Sequence, residues 1–310
     1  MSVASTALRI PGRVAAGIAD RIVNPGGQVD EDELREAVEG KVVLVTGASH
    51  GIGRAASEQL AAAGAEVLGL ARSEDRLHEL SSAVEGRDGN VHPYRADLGK
   101  FDTIPEFCAS ILERHGPPDV IVNNAGKSIR RSVELAYDRF HDYTRTIDIN
   151  YLGPVRLMLE LLPRMRERGS GHIVNVSTIG VIVPPAPRWS AYQASKAAFD
   201  VWLRSVGAEI RDDGITTSSL YLALVHTRMS APTDDFQYVP GWDAERAGEL
   251  VCHAIVERPR AVVPWWATAG SVIGDLARRP AEFAMSRYYL WTNDSLSAVR
   301  TAESARDPDQ

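Results

Sequence analysis

Cysteine is scarce in this chain of 310 residues, and its 34 lysines and arginines are outnumbered by 41 aspartates and glutamates. Its two cysteines, Cys108 and Cys252, lie far apart and outside any CxxC spacing, which favours two buried thiols in a reducing cytosol. A chain of this length buries enough surface to need neither disulfides nor metal for stability, and we expect no metal site. The formal net charge of −7 argues against a nucleic-acid partner, because phosphate binding needs a basic patch.

Long apolar runs are also missing. No stretch approaches the roughly 18 consecutive apolar residues of a membrane-spanning helix, and the amino terminus lacks a secretory core with a small-residue cleavage site. Hydrophobic residues make up 44% of the chain and charged residues 24%, which is close to an average soluble protein. We therefore expect a cytoplasmic protein.

From Lys41 onwards, short apolar runs alternate with helical stretches. The predicted strands are Val42–Thr46, Val67–Ala71, Val91–Arg95, Val120–Asn123, Ile173–Ser177 and Ile215–Leu224, followed by a short one at Ala261–Pro264. The predicted helices are Gly53–Ala63, Glu74–Val84, Thr103–His115, Phe140–Arg168, Ala191–Arg211 and Ala244–Glu257. This alternation predicts an α/β fold, a Rossmann-type doubly wound parallel sheet in a single domain with helical extensions at both ends.

The boundaries follow changes in this pattern. Residues 1–40 form a predicted helical extension, interrupted by the break that begins at Asn24. Residues 41–264 form the predicted dinucleotide-binding catalytic domain, and residues 265–310 form a predicted amphipathic tail.

A glycine-rich turn links the first predicted strand to the first helix of this domain. It reads Thr-Gly-Ala-Ser-His-Gly-Ile-Gly over residues 46–53. Glycines permit a tight turn and a close approach of the backbone, so that amides at the helix amino terminus can hold a pyrophosphate. Three glycines alone would also fit a flexible turn, but strand, turn and helix stand in the order that the mechanism requires.

The form Thr-Gly-x3-Gly-x-Gly resembles the short-chain dehydrogenase/reductase family, and further motifs follow in family order between about residue 41 and residue 230. They are Asp97-Leu98, Asn123-Asn124-Ala125-Gly126, Asn150, and the Tyr-x3-Lys pair Tyr192 and Lys196. The resemblance implies a bound nicotinamide dinucleotide. The cofactor-binding residues that it implies are Gly47, Ser49, His50, Gly51, Ile52, Gly53, Asp97, Leu98, Asn124, Ala125, Gly126, Tyr192, Lys196, Val225 and Thr227.

The residue that follows the second strand indicates which cofactor is bound. An acidic residue there would bind a ribose 2′-hydroxyl, but this strand is followed by Arg72 and Ser73, with no carboxylate before Glu74. An arginine suits a 2′-phosphate through its charge and planar donor fork. His50 offers a second donor. These residues favour NADP(H), although Arg72 could also be an ordinary solvated arginine.

The predicted chemistry centres on Tyr192 and Lys196, which lie four residues apart and share a helix face. A free phenol has a pKa of about 10, and a nearby ammonium lowers it, which suits acid/base catalysis. The resemblance implies that Tyr192 exchanges a proton with the substrate oxygen and that Lys196 also binds the nicotinamide ribose. It further implies that Asn150 holds a water that relays the proton.

The hydroxyl that orients the substrate is less clearly marked. The family usually has two serines at the end of the fifth strand, of which the second is catalytic, whereas this chain has Ser177 and Thr178. The pattern places Thr178 at the catalytic position. The stretch from there to Tyr192 is about one residue longer than usual, so Ser177 stays as the alternative.

Two departures from the family pattern concern the substrate. After the sixth strand, where the family generally has Pro-Gly, this chain has a different sequence over residues 222–229. Short segments around residues 181–196, 230–233 and 254–259 resemble the reductase domain of actinobacterial fatty acyl-CoA reductases. This resemblance implies a lipid-like acyl or aldehyde substrate. The loops over the nicotinamide carry aromatic and thioether side chains that fit an apolar substrate lid, although any one of them could instead pack on the domain: Trp189, Met229, Phe236, Tyr238 and Trp242.

Three functions follow from these patterns. The first is an NADPH-dependent reductase of an apolar ketone, aldehyde or acyl thioester. The second is an NADP-dependent alcohol dehydrogenase acting on a hydrophobic alcohol. The third, a cofactor-sensing protein without chemistry, would be expected to lose Tyr192 or Lys196, and both are present.

The partners are a small apolar substrate and, by family resemblance, further copies of the chain in a homo-oligomer. The two ends mix arginines with apolar side chains, a composition that suits peripheral contact with a membrane surface or docking onto the domain or a second subunit. The head carries Arg9, Arg13, Arg21, Ile10, Val14, Ile18 and Ile22. The tail carries Arg278, Arg279 and Arg287 with Trp265, Trp266, Val272, Ile273, Phe283, Met285, Tyr288, Tyr289 and Trp291.

Overall fold

A computed structural model describes residues 27, 29–233, 236 and 238–306, with side chains up to residue 301. The head predicted at residues 1–23 lies outside the described residues. The strands are β1 Val42–Thr46, β2 Glu66–Ala71, β3 Asn90–Arg95, β4 Val120–Asn123, β5 Gly171–Thr178, β6 Ile215–Leu222 and β7 Ala261–Val262. The α-helices are α1 Glu31–Val38, α2 Gly51–Ala62, α3 Glu74–Ala83, α4 Ile104–His115, α5 Phe140–Ile147, α6 Gly153–Arg168, α7 Ser190–Glu209, α8 Ala244–Glu257, α9 Trp265–Leu276, α10 Arg278–Trp291 and α11 Leu296–Arg306.

The strands form one seven-stranded sheet in the order β3-β2-β1-β4-β5-β6-β7, and all neighbouring pairs are parallel. The predicted doubly wound sheet is confirmed. Strand order reverses between β1 and β4, where Val45 is in register with both Gly69 of β2 and Val122 of β4. In such sheets a crevice opens beyond the carboxyl ends of the two strands at the reversal point, which is where ligands bind.

Side chains of β1 alternate between the two faces of the sheet, as the two-residue repeat of a strand requires. Val43 and Val45 belong to one buried cluster and Leu44 to the other. The two buried cysteines follow the same division, with Cys252 in the first cluster and Cys108 in the second. Both are free thiols, as the sequence predicted.

The long helix predicted at Phe140–Arg168 is interrupted. A π-helical turn over Asp148–Leu152 separates α5 from α6. A Cβ at Gly153, the first residue of α6, would overlap the Leu98 carbonyl, so the chain passes this point in close contact with the loop after β3. A single π-helical turn contains one extra residue within an α-helix, and such turns occur often at functional sites. The apolar spacing on either side persists, which is why the sequence predicted one helix.

Strand β6 ends at Leu222, two residues before the predicted end. Beyond it, Val225 forms an isolated parallel bridge with Trp242, supported by a bond from the Trp242 amide to the Leu224 carbonyl (3.0 Å). Trp242 is 3% exposed and packs in the core. Its predicted place in a substrate lid is therefore wrong, because its ring fills the interior under this bridge.

The described part of the predicted tail consists of the three helices α9, α10 and α11 with short connections between them. Gly274 of α9 lies so close to Pro184 that a Cβ would overlap the proline ring, so the tail packs on the loop after β5. Its outer surface exposes large apolar side chains, including Trp265, Ile273, Phe283 and Trp291. None of the helices that the structure describes is long and apolar enough to cross a membrane.

Candidate active site

The crevice at the strand-order reversal is bounded by the loops after β1 and β4. Gly47 and Gly51 have positive φ angles of 71° and 54°, in the left-handed region that glycine adopts without strain. A Cβ at Gly53 would overlap the Asn124 side chain and the Gly47 carbonyl. The turn therefore needs glycine for both conformation and contact.

The amino terminus of α2 faces this turn. His50 is the N-cap residue but makes no side-chain capping hydrogen bond to the helix. The first amides of an α-helix have no partner inside the helix, and they attract anions. Uncapped amides beside a glycine cradle fit the pyrophosphate of a dinucleotide.

Thr46 joins the two loops. Its hydroxyl accepts hydrogen bonds from the amides of Asn124 and Ala125, each at 3.0 Å, and donates to the Val122 carbonyl at 3.2 Å. The Asn124 side chain returns a bond from Nδ2 to the Thr46 carbonyl at 2.9 Å. Sequence analysis missed this role of Thr46, although the threonine that opens the glycine motif was the available signal.

Asp97 and Leu98 lie at the carboxyl end of β3. Asp97 is half-buried and its carboxylate accepts from the Gly99 amide at 3.0 Å, while Leu98 is buried against Gly153. Asp97 thus shapes the loop beside the crevice, and Leu98 fixes the start of α6 through its backbone.

Arginines surround the rim next to the glycine turn. Arg72 is exposed at the end of β2, as predicted. His50 contacts Ser49 Oγ at 3.0 Å and Arg228 Nη1 at 3.5 Å. Burial lowers the pKa of His50, and the neighbouring charges of Arg228, Arg76 and Arg54 lower it further, so the imidazole favours its neutral form. Sequence analysis missed these three arginines, which come from separate elements and meet only in the fold.

Asn150, in the π-helical turn, holds the loop after β4. Its Oδ1 accepts from the Lys127 amide (2.8 Å), and its Nδ2 donates to the Lys127 carbonyl and to Ser195 Oγ, both at 2.9 Å. Ser195 Oγ in turn donates to the Tyr192 carbonyl at 2.8 Å. The structure therefore brings Asn150 to the helix that carries Tyr192 and Lys196.

Lys196 is buried on α7, and its Nζ donates to the Val176 carbonyl at 2.9 Å. A Cβ at Gly126 would lie 3.5 Å from this Nζ and 3.1 Å from Asn150 Oδ1, so the glycine keeps space between the two groups. Burial lowers the pKa of Lys196 to about 8. At neutral pH most of the Lys196 side chains still carry the proton, because this pKa lies only slightly above neutral.

Burial raises the pKa of Tyr192 to about 12, and a hydrogen bond with Thr178 lowers it in part. The sequence predicted a lowered pKa from the ammonium of Lys196. In the protein without a bound cofactor, the cost of burying a phenolate is larger than the stabilisation expected from that ammonium. Tyr192 is therefore a protonated phenol at neutral pH.

Thr178 and Ser177 are separated clearly by the alternation of β5. The Thr178 hydroxyl lies close enough to the Tyr192 phenol to lower its pKa, and it accepts from the Gly180 amide at 3.3 Å. Ser177 is 5% exposed, and its Oγ has no hydrogen-bond partner among the described residues. The hydroxyl beside the phenol is thus that of Thr178.

The aromatic loops contribute unequally. Trp189 lies 5.8 Å from Tyr192 and stacks on Phe236 with centroids 5.8 Å apart and planes 7° from parallel. Met229 and Tyr238 are exposed by 45% and 83%. Trp189 and Phe236 thus form an apolar wall next to the phenol, while Met229 is exposed over nearly half of its surface and Tyr238 over most of it.

The remaining predicted cofactor residues are divided between the crevice and the core. The Thr227 methyl group would lie 3.2 Å from a Cβ at Gly51, which places Thr227 against the glycine turn. The side chains of Ile52 and Val225 pack with the cluster that contains Val43. These contacts place both apolar side chains in the core and not in the crevice.

The family model of the short chain dehydrogenase matches residues 41–237. A fatty acyl-CoA reductase of Acinetobacter baylyi is 45% identical over 229 residues, which cover 74% of this chain and 77% of that protein. A fatty acyl-CoA reductase of Mycobacterium tuberculosis is 37% identical over 248 residues, which cover 80% and 84%.

Solved structures show the same fold. A short-chain dehydrogenase from Streptomyces avermitilis aligns with a TM-score of 0.68 and 28% identity, over 82% of this chain and all of that one (100%). A metagenomic short-chain oxidoreductase in complex with NADP aligns with a TM-score of 0.63 and 25% identity, over 73% of this chain and 97% of that one.

The buried ammonium of Lys196 predicts a stability effect. Because its folded pKa of about 8 is below the ordinary value of 10.5, the unfolded chain binds more protons and stability rises with pH between these values. Lys196→Met removes the cost of burying the charge. We expect this variant, free of cofactor, to melt at a higher temperature than the unaltered protein at pH 7, with the difference shrinking towards pH 10.5. Equal melting temperatures throughout would contradict the assigned burial of the charge.

Proposed function

Since the chain belongs to the short-chain dehydrogenase family, we propose that it is an NADPH-dependent reductase of apolar carbonyl compounds, with fatty acyl thioesters and aldehydes as its preferred substrates. The observation that carries the proposal is the placement of the Tyr192 phenol next to Thr178 at the end of β5 and 5.8 Å from the ring of Trp189. This places a proton donor, an orienting hydroxyl and an apolar surface in one cleft.

The residues divide the work as follows. The Thr178 hydroxyl holds the substrate carbonyl oxygen beside the Tyr192 phenol, which donates its proton to that oxygen as negative charge develops. Lys196 supplies the positive charge that stabilises the resulting phenolate, and it would also bind the nicotinamide ribose. NADPH, held by the glycine turn, would supply the hydride to the carbonyl carbon. An aldehyde would thereby become an alcohol, and a thioester would become a thiohemiacetal that breaks down to the aldehyde and the free thiol. Asn150 keeps the loop at Lys127 in place and holds the water through which Tyr192 is reprotonated.

In the protein without cofactor, Tyr192 is in the protonated form that a reduction uses. A phenol with a pKa of about 12 is a competent acid at neutral pH but is almost never available there as a base. An alcohol dehydrogenase running oxidatively would need the phenolate, and thus an alkaline medium or a bound cofactor that lowers the pKa. The alternative function is oxidation of a hydrophobic alcohol with NADP⁺, which the same residues would catalyse in the reverse direction.

The cofactor preference rests on positive charge at the rim. Arg72 stands where an acidic residue would bind a 2′-hydroxyl. Arg228 lies against His50, whereas Arg54 and Arg76 act on His50 from ion pairs with Glu58 and Glu79. A cluster of guanidinium groups suits a doubly charged 2′-phosphate. The related structure that contains NADP agrees with this choice.

The substrate class rests on the wall made by Trp189 and Phe236 and on the relatives described as fatty acyl-CoA reductases. Stacked rings beside the phenol favour an acyl chain over a polar substrate. The exposed apolar side chains of α9 and α10 fit peripheral contact with a lipid surface or a second copy of the chain. Homo-oligomer formation, membrane contact and a cytoplasmic location remain predictions from the sequence.

Replacing Tyr192 with phenylalanine tests the mechanism. The ring still packs, but no proton can be transferred, so we expect loss of nearly all turnover with NADPH affinity within about twofold of normal. The assay follows NADPH consumption with fatty acyl-CoAs, aldehydes and ketones, and NADP⁺ reduction with alcohols. Near-normal turnover in the variant would reject Tyr192 as the acid. Turnover of alcohols alone across the neutral range would favour the alternative function.

The two hydroxyls of β5 give a matched pair. Thr178→Ala should slow turnover by about a hundredfold, as expected for one lost transition-state donor. It should also raise the pKa of Tyr192, because the hydrogen bond that lowers it is removed. Ser177→Ala should have a small effect, since Ser177 Oγ is buried away from the phenol. Steady-state kinetics that rank the two variants in the opposite order would contradict the assignment.

Arg72→Asp tests the cofactor preference. The carboxylate would repel a 2′-phosphate and accept a bond from a 2′-hydroxyl, so the ratio of kcat/KM for NADPH over NADH should fall by about tenfold or more. Arg87→Asp is the control, because Arg87 is also exposed but precedes β3 and so lies at the amino-terminal ends of the strands, away from the crevice. A preference for NADH in the unaltered protein would show that the assignment is wrong.

A further inference from the structure

One arginine connects the segment before Tyr192 to the C-terminal helices. Arg188 lies four residues before Tyr192 and next to Trp189, yet its side chain is only 4% exposed. Its Nη1 donates to Thr292 Oγ1 (2.8 Å), and its Nη2 donates to the carbonyls of Thr292 (2.6 Å) and Tyr289 (3.2 Å). All of these acceptors lie at the end of α10 or just beyond it.

Two further contacts complete the set. Arg188 Nε lies 3.3 Å from Asp294 Oδ2, and the guanidinium carbon lies 4.4 Å from the centroid of the Tyr289 ring. All three guanidinium nitrogens are thus engaged, and one face is covered by an aromatic ring. We call Arg188, Tyr289, Thr292 and Asp294 the C-terminal clasp.

The backbone of Arg188 is held in an uncommon conformation. Its φ is +69°, in the left-handed region that residues with a Cβ rarely adopt. Its carbonyl accepts a hydrogen bond from the Arg131 amide at 2.7 Å. Such a conformation persists where surrounding contacts determine it, and it is concentrated at functional sites. Here the clasp and Arg131 supply those contacts.

The clasp extends to the other side of the cleft. Asp294 Oδ1 accepts from the Ser132 amide at 2.8 Å, and Arg131 Nη1 donates to the Ala298 carbonyl at 2.7 Å. Arg131 Nε also lies 3.0 Å from the buried carboxylate of Asp142, on α5. The C-terminal segment is therefore bound both to the chain that leads to Tyr192 and to the helix that leads to Asn150.

We infer that Arg188 is a positioning residue of the active site, through which the C-terminal helices hold Trp189 and Tyr192 against Thr178. The inference rests on the proposed acid role of Tyr192. Trp189 is the N-cap residue of α7 and contributes no side-chain capping bond, so the start of this helix depends on the residues before it. Movement of about 1 Å at a reacting group is enough to slow catalysis by up to a hundredfold.

Arg188→Gly removes the clasp while leaving a residue that adopts the left-handed conformation freely. We expect kcat with a fatty acyl-CoA to fall by about 10- to 100-fold, with the affinity for NADPH within about twofold of normal. Added guanidinium at millimolar concentration should restore part of kcat by occupying the vacated site. In the oxidative direction, the rise of kcat with pH should move to higher pH, because a displaced phenol loses its bond to Thr178.

Arg168→Gly is the matched control. Arg168 also binds backbone carbonyls, those of Pro117, Pro118 and Ser170, but these lie at the amino edge of the sheet. It should lower the melting temperature without moving the pH profile. Asp294→Asn serves as a milder clasp variant, in which an amide replaces the carboxylate next to Arg188 Nε. It should reduce kcat by several-fold in a folded protein even if Arg188→Gly does not fold.

The outcomes separate the two proposals. If Arg188→Gly or, failing that, Asp294→Asn keeps kcat and its pH profile while only the melting temperature falls, as in Arg168→Gly, the clasp is merely structural and the inference is overturned. If Tyr192→Phe itself remains active, the proposed function fails instead. Loss of kcat, partial rescue by guanidinium and a shifted pH profile together support positioning by Arg188.

Discussion

A single hydroxyl group holds the crevice together, and the candidate site is built outward from it. The strands β1 and β4 lie next to each other at the reversal of strand order, where the chains that leave them diverge to opposite faces of the sheet. Thr46 Oγ1 receives the amides of both Asn124 and Ala125 at 3.0 Å and so fixes the two departing loops relative to each other. The tie is reinforced by the bond from the Asn124 side chain to the Thr46 carbonyl and by Asn150, which holds the loop at Lys127 next to Gly126.

Burial acts in opposite directions on the two central groups. It raises the pKa of Tyr192 to about 12 and lowers that of Lys196 to about 8, because in each case the charged form is disfavoured. At neutral pH the phenol therefore keeps its proton, while the lysine keeps most of its charge. A proton donor next to a cation is the arrangement that a carbonyl oxygen needs as it gains negative charge. The cost of holding the cation in the interior is offset in part by the Val176 carbonyl.

The fold and the centre of the site were predictable because their signals are local. Short apolar runs identified six strands within a few residues of their ends, and the glycine turn, Asn150, Tyr192 and Lys196 stand in recognisable order along the chain. The π-helical turn at Asp148–Leu152 was not predicted, since one extra residue leaves the apolar spacing on each side intact. Trp242 was misplaced because a loop aromatic gives no local sign of whether it covers a ligand or fills the core.

Contacts between distant segments carried no such signal. Arg54, Arg76 and Arg228 surround His50 from separate elements, and the raised pKa of Tyr192 depends on burial that only the folded chain creates. The direction of that shift was therefore predicted wrongly. The same limit explains why Thr178 and Ser177 could not be told apart from their order, whereas the alternation of β5 separates them at once.

The C-terminal helices support loops that the parallel sheet itself does not hold in place. A site at the carboxyl ends of strands must be completed by loops, and loops are the least stable parts of a fold. The segment between β5 and α7 carries Trp189 at its end, and it gains contacts from outside the sheet through Pro184 against Gly274 and through Arg188. The family model matches residues 41–237 and so does not include these helices. The shared motifs establish the family and predict its chemistry, whereas contacts that hold this loop come from a part of the chain to which the motifs do not extend.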